Sequence, residues 1–140
     1  MAAGARRTAA VVGLGITQMT RRYTKSAASL AVEAVQLALA DAGLVKEDLD
    51  GLLTHGGVGP EAWPEASGGG GLHNMMGLRN LRVYSQWINR GSAAGQNLVL
   101  SAHAVQSGMA DTVCYVFADA PLTATSSSGS GAYGGAGRPM

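Results

Sequence analysis

Cysteine, charge and aromatic side chains are all scarce in this chain of 140 residues. Its one cysteine, Cys114, excludes an internal disulfide framework and any cysteine-based metal site made by a single copy. Charged residues make up 14% of the chain, against about 25% in an average soluble domain, so something other than Lys and Glu must cover much of the surface. A partner subunit, or the remainder of a larger protein, meets that need. The net charge is +1 and scattered, which leaves no electrostatic footprint for nucleic acid. No apolar run is long enough to span a membrane, and the N-terminus lacks the apolar core of a secretory signal. Acidic residues are absent before Glu33, while Arg6, Arg7, Arg21, Arg22 and Lys25 precede it, as in an organelle transit peptide. An apolar run beginning at Thr8 reads instead as a core strand, and a cytoplasmic protein is expected.

Apolar residues make up 46% of the sequence, enough for one core. Ala9 to Gly15 is a short apolar run ending at glycines, the pattern of a strand buried on both faces. Ser26 is the expected N-cap of a helix running to Ala42, with Leu30, Ala34, Leu37 and Ala38 on its core side and Gly43 as its left-handed cap. An acidic corner at residues 44–50 leads into a second strand, Gly51 to His55. Gly56 to Gly71 is loop, with Trp63 its one large side chain. A helical turn or two follows over Leu72 to Leu78, then a strand over Leu81 to Trp87. A helix from Ser92 to Ser107, capped by Gly108, and a strand from Thr112 to Ala118 complete the pattern. Beyond Leu122 the chain is Ser, Gly and Ala, so residues 1–122 form the domain and 123–140 a Gly/Ser-rich tail. Alternating strands and helices predict an α/β fold, mostly parallel, with helices on both faces. Between Gly91 and Ala110 there is no Lys, Arg, Asp or Glu, which predicts a helix enclosed on several sides and contacts with another subunit through residues 92–107.

Gly13-Leu14-Gly15 after a strand suggests a dinucleotide site, but the third glycine is missing and no helix opens directly, so no nucleotide cofactor is expected. The stretch from Ile88 to Gly95 is more informative. Ser92 stands where a helix amino end presents unpaired amides and a positive pole, and Gly91, Ala93, Ala94 and Gly95 leave room for a bulky acyl group. An ordinary N-cap followed by small packing residues accounts for the same letters. His55, at the carboxyl end of a strand, and His73, beside Asn74, Met75 and Met76, each fit either a site or plain packing. Cys114, within an apolar strand, reads as a small buried hydrophobe.

The run Val11-Val12-Gly13-Leu14-Gly15-Ile16-Thr17, the segments Ala31 to Ala34 and Leu39 to Leu44, and Asp48-Leu49-Asp50-Gly51 carry a resemblance. So do Asn89-Arg90-Gly91-Ser92-Ala93-Ala94-Gly95 and Gly108-Met109-Ala110-Asp111. Together, over residues 8 to 120, they resemble the N-terminal part of the thiolase superfamily, in its lipid-transfer-protein (sterol-carrier-type) branch. The resemblance implies a layered α/β half-domain, incomplete here, with the tail opening a loop domain. It implies an acyl-CoA acyltransferase acting on coenzyme A thioesters with no resident cofactor and no metal, in a homo- or hetero-oligomer without nucleic acid or membrane. Ser92 takes the place of the family's nucleophilic cysteine, and Asn89, Gly91, Met75 and Met76 become candidate substrate contacts.

A serine hydroxyl needs a neighbouring base to act as a nucleophile. His103 lies eleven residues along the same helix, roughly 16 Å away at 1.5 Å per residue, beyond hydrogen-bond reach. Two further readings follow: a retro-aldol lyase component, whose chemistry needs no acyl-enzyme, or a non-catalytic subunit of the same fold.

Overall fold

The computed structural model describes residues 8–20, 24–56, 71–87 and 92–119. Helix α1 (Ala27–Ala42) starts where Ser26 accepts a hydrogen bond from the Ser29 amide. It ends at Gly43, whose φ of 68° is a conformation that glycine adopts without strain. A single 3₁₀ turn (Lys46–Asp48) leads into strand β1 (Gly51–Gly56), and helix α2 (Leu72–Met76), strand β2 (Val83–Trp87), helix α3 (Ala93–Ser107) and strand β3 (Val113–Ala118) follow. The strands form one sheet in the order β2-β1-β3, with both pairings parallel.

Successive residues of β1 point to opposite faces of the sheet. Leu52 joins Val116 and Ala118 in a core with Leu30, Ala31, Val35 and Leu39 of α1 and Leu72 and Met76 of α2. Leu53, 3% exposed, lies on the other face, on the same side as Tyr115, whose hydroxyl is influenced by Asn97 of α3. Helices therefore cover both faces, as an α/β pattern requires.

Two expectations are corrected. Residues 9–15 join no strand of this sheet: Val11, Val12 and Leu14 are 77%, 64% and 67% exposed. The segment instead lies flat along α1. A Cβ on Gly13 would strike the Ala38 carbonyl, one on Gly15 the Ala34 carbonyl, and the Leu14 amide donates to Asp41 at 2.9 Å. That docking explains the second correction. Because the glycine segment occupies the Ala34 and Ala38 side, the core side of α1 is rotated to Ala27, Ala28, Leu30, Ala31, Val35 and Leu39, and Leu37 is 42% exposed. Helix α3 is not enclosed within this chain, in keeping with an expected cover from another subunit. Only Ala93, Asn97 and Ala104 are buried, while Leu98 and Val99 are 53% and 56% exposed.

The starts of the three strands are tied together by Asp50. Its carboxylate accepts from the amides of Asp111 and Thr112 at 2.9 and 2.8 Å and from the Arg82 guanidinium at 3.1 Å. Arg82 also donates to Asp111 at 3.0 Å and to the Gly108 carbonyl at 2.6 Å. The Asp50 side chain is 17% exposed and Arg82 49%, so their removal is not equivalent. Asp50→Ala leaves two amides without their acceptor and is expected to destabilise the fold by about 2–4 kcal/mol, whereas Arg82→Ala, a largely solvated partner, is expected to cost about 1 kcal/mol or less. Urea unfolding with unchanged slope reads both; equal midpoints for the two variants would contradict the ranking.

Candidate functional site

In an open parallel sheet, ligands bind beyond the carboxyl ends of the strands, in the crevice where the connections to neighbouring strands diverge. Here β1 ends at His55 and Gly56, β2 at Trp87 and β3 at Phe117 and Ala118. The register sets His55 opposite both Trp87 and Phe117. Residues opposite one another in parallel strands share a face, so Trp87, His55 and Phe117 form a row across the edge on the α3 side. The His55 and Phe117 rings are stacked, with centroids 5.0 Å apart and an interplanar angle of 29°. His55 is 7% exposed, while Trp87 and Phe117 are 40% and 50% exposed. Burial lowers the His55 pKa below its ordinary value of 6.5, partly opposed by the negative charge of Asp119. Burial thus favours the neutral form of the imidazole.

Helix α3 begins beside this edge, since only residues 88–91 and Ser92 separate it from β2. Ser92 has φ −79° and ψ −13° and is exposed; its side chain makes no capping hydrogen bond to the helix. An ordinary N-cap has extended dihedrals and an engaged side chain, so Ser92 does not perform the capping role. Asn89 and Gly91 lie outside the described residues.

The two methionines are not part of this edge. Met76 is core, 8% exposed, and its carbonyl accepts from Lys46 at 3.2 Å at the opposite end of the sheet; Met75 is 48% exposed on the same short helix. His73 packs on Tyr84 with ring centroids 4.8 Å apart on the α1 face, and His103 is exposed on the second half of α3. No group of three or more His, Cys, Asp or Glu with metal-holding geometry occurs among the described residues, and no helix among them is long and apolar enough to cross a membrane. A cleft at the start of β1, lined by Lys46, Glu47, Leu49, Gly77, Leu78, Arg79 and Asn80, is open and carries mainly solvated side chains.

Two features were not legible from spacing. Asn97, fully buried in α3, and the buried hydroxyl of Tyr115 have no hydrogen-bond partner with good geometry. They lie close enough that Asn97 lowers the phenol pKa against the burial that raises it. The Trp87–His55–Phe117 row is the second, since only the strand register brings those three together.

Comparison with known proteins bears on the chemistry. No family model matches the chain. It is 34% identical over 110 residues to a steroid side-chain-cleaving aldolase of Thermomonospora curvata, covering 76% of this chain and 26% of that protein. It is 36% identical over 105 residues to a 17-hydroxy-3-oxo-4-pregnene-20-carboxyl-CoA lyase of Mycobacterium tuberculosis, covering 75% and 25%. A solved structure of an Ltp2-ChsH2(DUF35) aldolase superposes with a TM-score of 0.69 at 31% identity, over 82% of this chain and 28% of the other. The chain thus spans about a quarter of the length of the curated relatives it matches. These relatives are aldolases and lyases. They overturn the assignment to the lipid-transfer branch of the thiolases, and with it the acyltransferase reading.

Burial also pushes the Cys114 thiol up to about 11, so hardly any thiolate forms at pH 8. In Ser92→Cys, by contrast, the new thiol is exposed at the positive end of a 15-residue helix. Iodoacetamide at pH 7.5 is expected to alkylate position 92 at least tenfold faster than Cys114, as read by peptide mass spectrometry. Faster labelling of Cys114 would show that the amino end of α3 exerts no such field.

Proposed function

We propose that this chain is a component of a retro-aldol lyase that cleaves a β-hydroxy acyl-CoA, with a fused-ring steroid as the carrier of the hydroxyl. The observation that carries the reading is the similarity, above 30% identity, to two proteins named for carbon–carbon cleavage of steroid side chains. In a 17-hydroxy-pregnene-20-carboxyl thioester the hydroxyl is β to the thioester carbonyl. Loss of the hydroxyl proton makes a ketone at C17, the C17–C20 bond breaks, and its electron pair becomes the enolate of a shortened acyl-CoA. Protonation of that enolate at carbon completes the balance. The thioester itself stabilises the carbanion, so coenzyme A enters as part of the substrate and no acyl-enzyme is needed.

Ser92 fits this chemistry better than acyl transfer. An exposed hydroxyl at the positive amino end of α3 is suited to stabilise an enolate oxygen, a charge that develops in the transition state. His103, on the second half of the helix, is too far along it to serve Ser92 as a base for nucleophilic attack. Asn89 and Gly91, next to it in sequence, are proposed to line the same mouth, and Met75 and Met76 are left to packing. The exposed, uncharged surface of α3, with Leu98, Val99 and the following Met109 all more than half exposed, favours a hetero-oligomer. The two-component name of the similar solved aldolase agrees with that association.

The protein, alone and co-expressed with a DUF35-type subunit, is to be incubated with a 17-hydroxy steroid 20-carboxyl-CoA. The expected products are the 17-ketone and a three-carbon acyl-CoA, with no mass added to Ser92 during turnover. An acyl adduct on Ser92, or no cleavage with either preparation, would overturn the reading.

A further inference from the structure

Three side chains of α3 are buried, Ala93, Asn97 and Ala104, and two of them are methyl groups. A face of methyls is shallow and offers few ridges to stop a helix from sliding along the sheet beneath it. Asn97 is the exception. It is fully buried, and neither its carbonyl oxygen nor its amide nitrogen has a partner of good geometry. The hydroxyl of Tyr115 on β3 is buried and orphaned in the same way. Burial raises the Tyr115 pKa above its ordinary value, and the Asn97 side chain lies close enough to oppose that rise. Other polar groups of α3 and the sheet are engaged or face elsewhere. Ser101 donates to the Asn97 backbone carbonyl at 2.8 Å, Gln96 is exposed, and Thr54, a buried hydroxyl of β1, has the parity of Leu52 and so faces α1. Among the described residues, Asn97 and Tyr115 are thus left to each other.

A buried polar pair of this kind has one satisfied arrangement. Moving α3 by one turn, about 5.4 Å, strands a buried amide and a buried hydroxyl, while the methyl face loses little by the same move. The spacing on either side of the pair has a consequence for Ser92. Helix α3 connects the end of β2 to the start of β3, so it runs opposite to the strands. Ser92 is five residues before Asn97, about 7.5 Å along the helix axis at 1.5 Å per residue. Phe117 is two residues after Tyr115, about 6.6 Å along the strand at 3.3 Å per residue. Setting Asn97 against Tyr115 therefore brings Ser92 level with Phe117 and, through the register, with His55 and Trp87. Resting on the lyase reading above, we infer that Asn97 and Tyr115 form a buried register pin, positioning residues that hold Ser92 level with the row at the carboxyl edge, where the amino end of α3 meets the enolate oxygen. They act through the placement of the helix and touch no reacting atom.

The position of residue 92 can be read separately from turnover. In the full chain carrying Ser92→Cys, a nitroxide is attached at pH 7.5, where Cys114, its thiol pushed up to about 11, stays unlabelled. Paramagnetic broadening of backbone amides is expected to be strong at Phe117 and Ala118 and weak at Val113, the far end of the same strand. Asn97→Leu combined with Tyr115→Phe exchanges both polar groups for apolar ones of similar shape, so the urea midpoint is expected to hold or rise. The ratio of broadening between the two ends of β3 is nevertheless expected to fall by about threefold or more, as a shift of one helical turn produces. In the assembly that cleaves the 17-hydroxy steroid thioester, with Ser92 intact, the same two substitutions are expected to lower kcat by about 10–100-fold and to move KM far less. The native ratio or the native kcat in a folded double variant overturns the assignment. Where the double variant does not fold, Tyr115→Phe alone, which removes one oxygen atom, is read against the same two outcomes. If the native assembly forms no ketone, the lyase reading falls and the kcat comparison with it, and the broadening ratio by itself decides whether Asn97 and Tyr115 set the register.

Discussion

The carboxylate of Asp50 is the constraint on which the sheet depends. Parallel strands cannot be joined by tight hairpins, so nothing local holds their starts in line. Here one side chain does so: Asp50 precedes β1, receives the amides of Asp111 and Thr112 before β3, and holds Arg82 before β2, which in turn reaches the Gly108 carbonyl at the end of α3. Backbone bonds repeat the tie, with the Arg82 and Val83 amides donating to the Asp50 carbonyl and Gly51 donating to Thr112. Once the starts are pinned, the pleat carries the register forward. Five residues later, His55, Trp87 and Phe117 arrive side by side at the other end. The structural end of the sheet thus sets the geometry of the candidate chemical end, and the two use different residues.

Packing around this sheet is uneven, and the unevenness has a physical cause. On the α1 face, leucines, valine and methionine close a core around Leu52. On the α3 face the contacts are made by Ala93, Asn97 and Ala104, small or polar residues that bring the helix close but bury little apolar area. The larger side chains of α3, Leu98 and Val99, point away, and the extended segment over Val11 to Ile16 likewise turns its apolar side chains outward. Exposed valines and leucines in two separate places are what a low charge content leads one to expect of a chain that functions against other protein surface. The proposed association through α3 draws its support from there.

Much of this fold was legible in the sequence because it is written in local signals. Ser26 and Gly43 bound α1, Gly108 ends α3, and the apolar runs at β1 and β3 stand within a residue or so of their observed limits. What was not legible depends on partners distant in sequence. Residues 9–15 have the letters of a buried strand, but whether a strand pairs is decided by the sheet edge available to it, and two glycines at Gly13 and Gly15 instead let the backbone lie against α1. That contact displaced the expected core side of α1, which no helical wheel contains. The same holds at the candidate site. Ser92 was visible as a hydroxyl at a helix start, whereas the value of His55 rests on neighbours 32 and 62 residues away, Trp87 and Phe117, brought to it by register. The reaction class was not legible, since a hydroxyl at a helix start suits either acyl transfer or enolate stabilisation, and it is the similarity to named lyases that speaks for the second.

The central claim is that ligands of this protein meet the carboxyl edge of the sheet. The direct measurement is a ¹H–¹⁵N and imidazole NMR titration of the full chain with a 17-keto steroid, the proposed product. The account predicts shifts at His55, the Trp87 indole, Phe117 and Ala93, with the amides of Asp111 and Thr112 unmoved. Shifts confined to the cleft of Lys46, Gly77, Arg79 and Asn80 at the opposite end, with His55 unchanged, would contradict it.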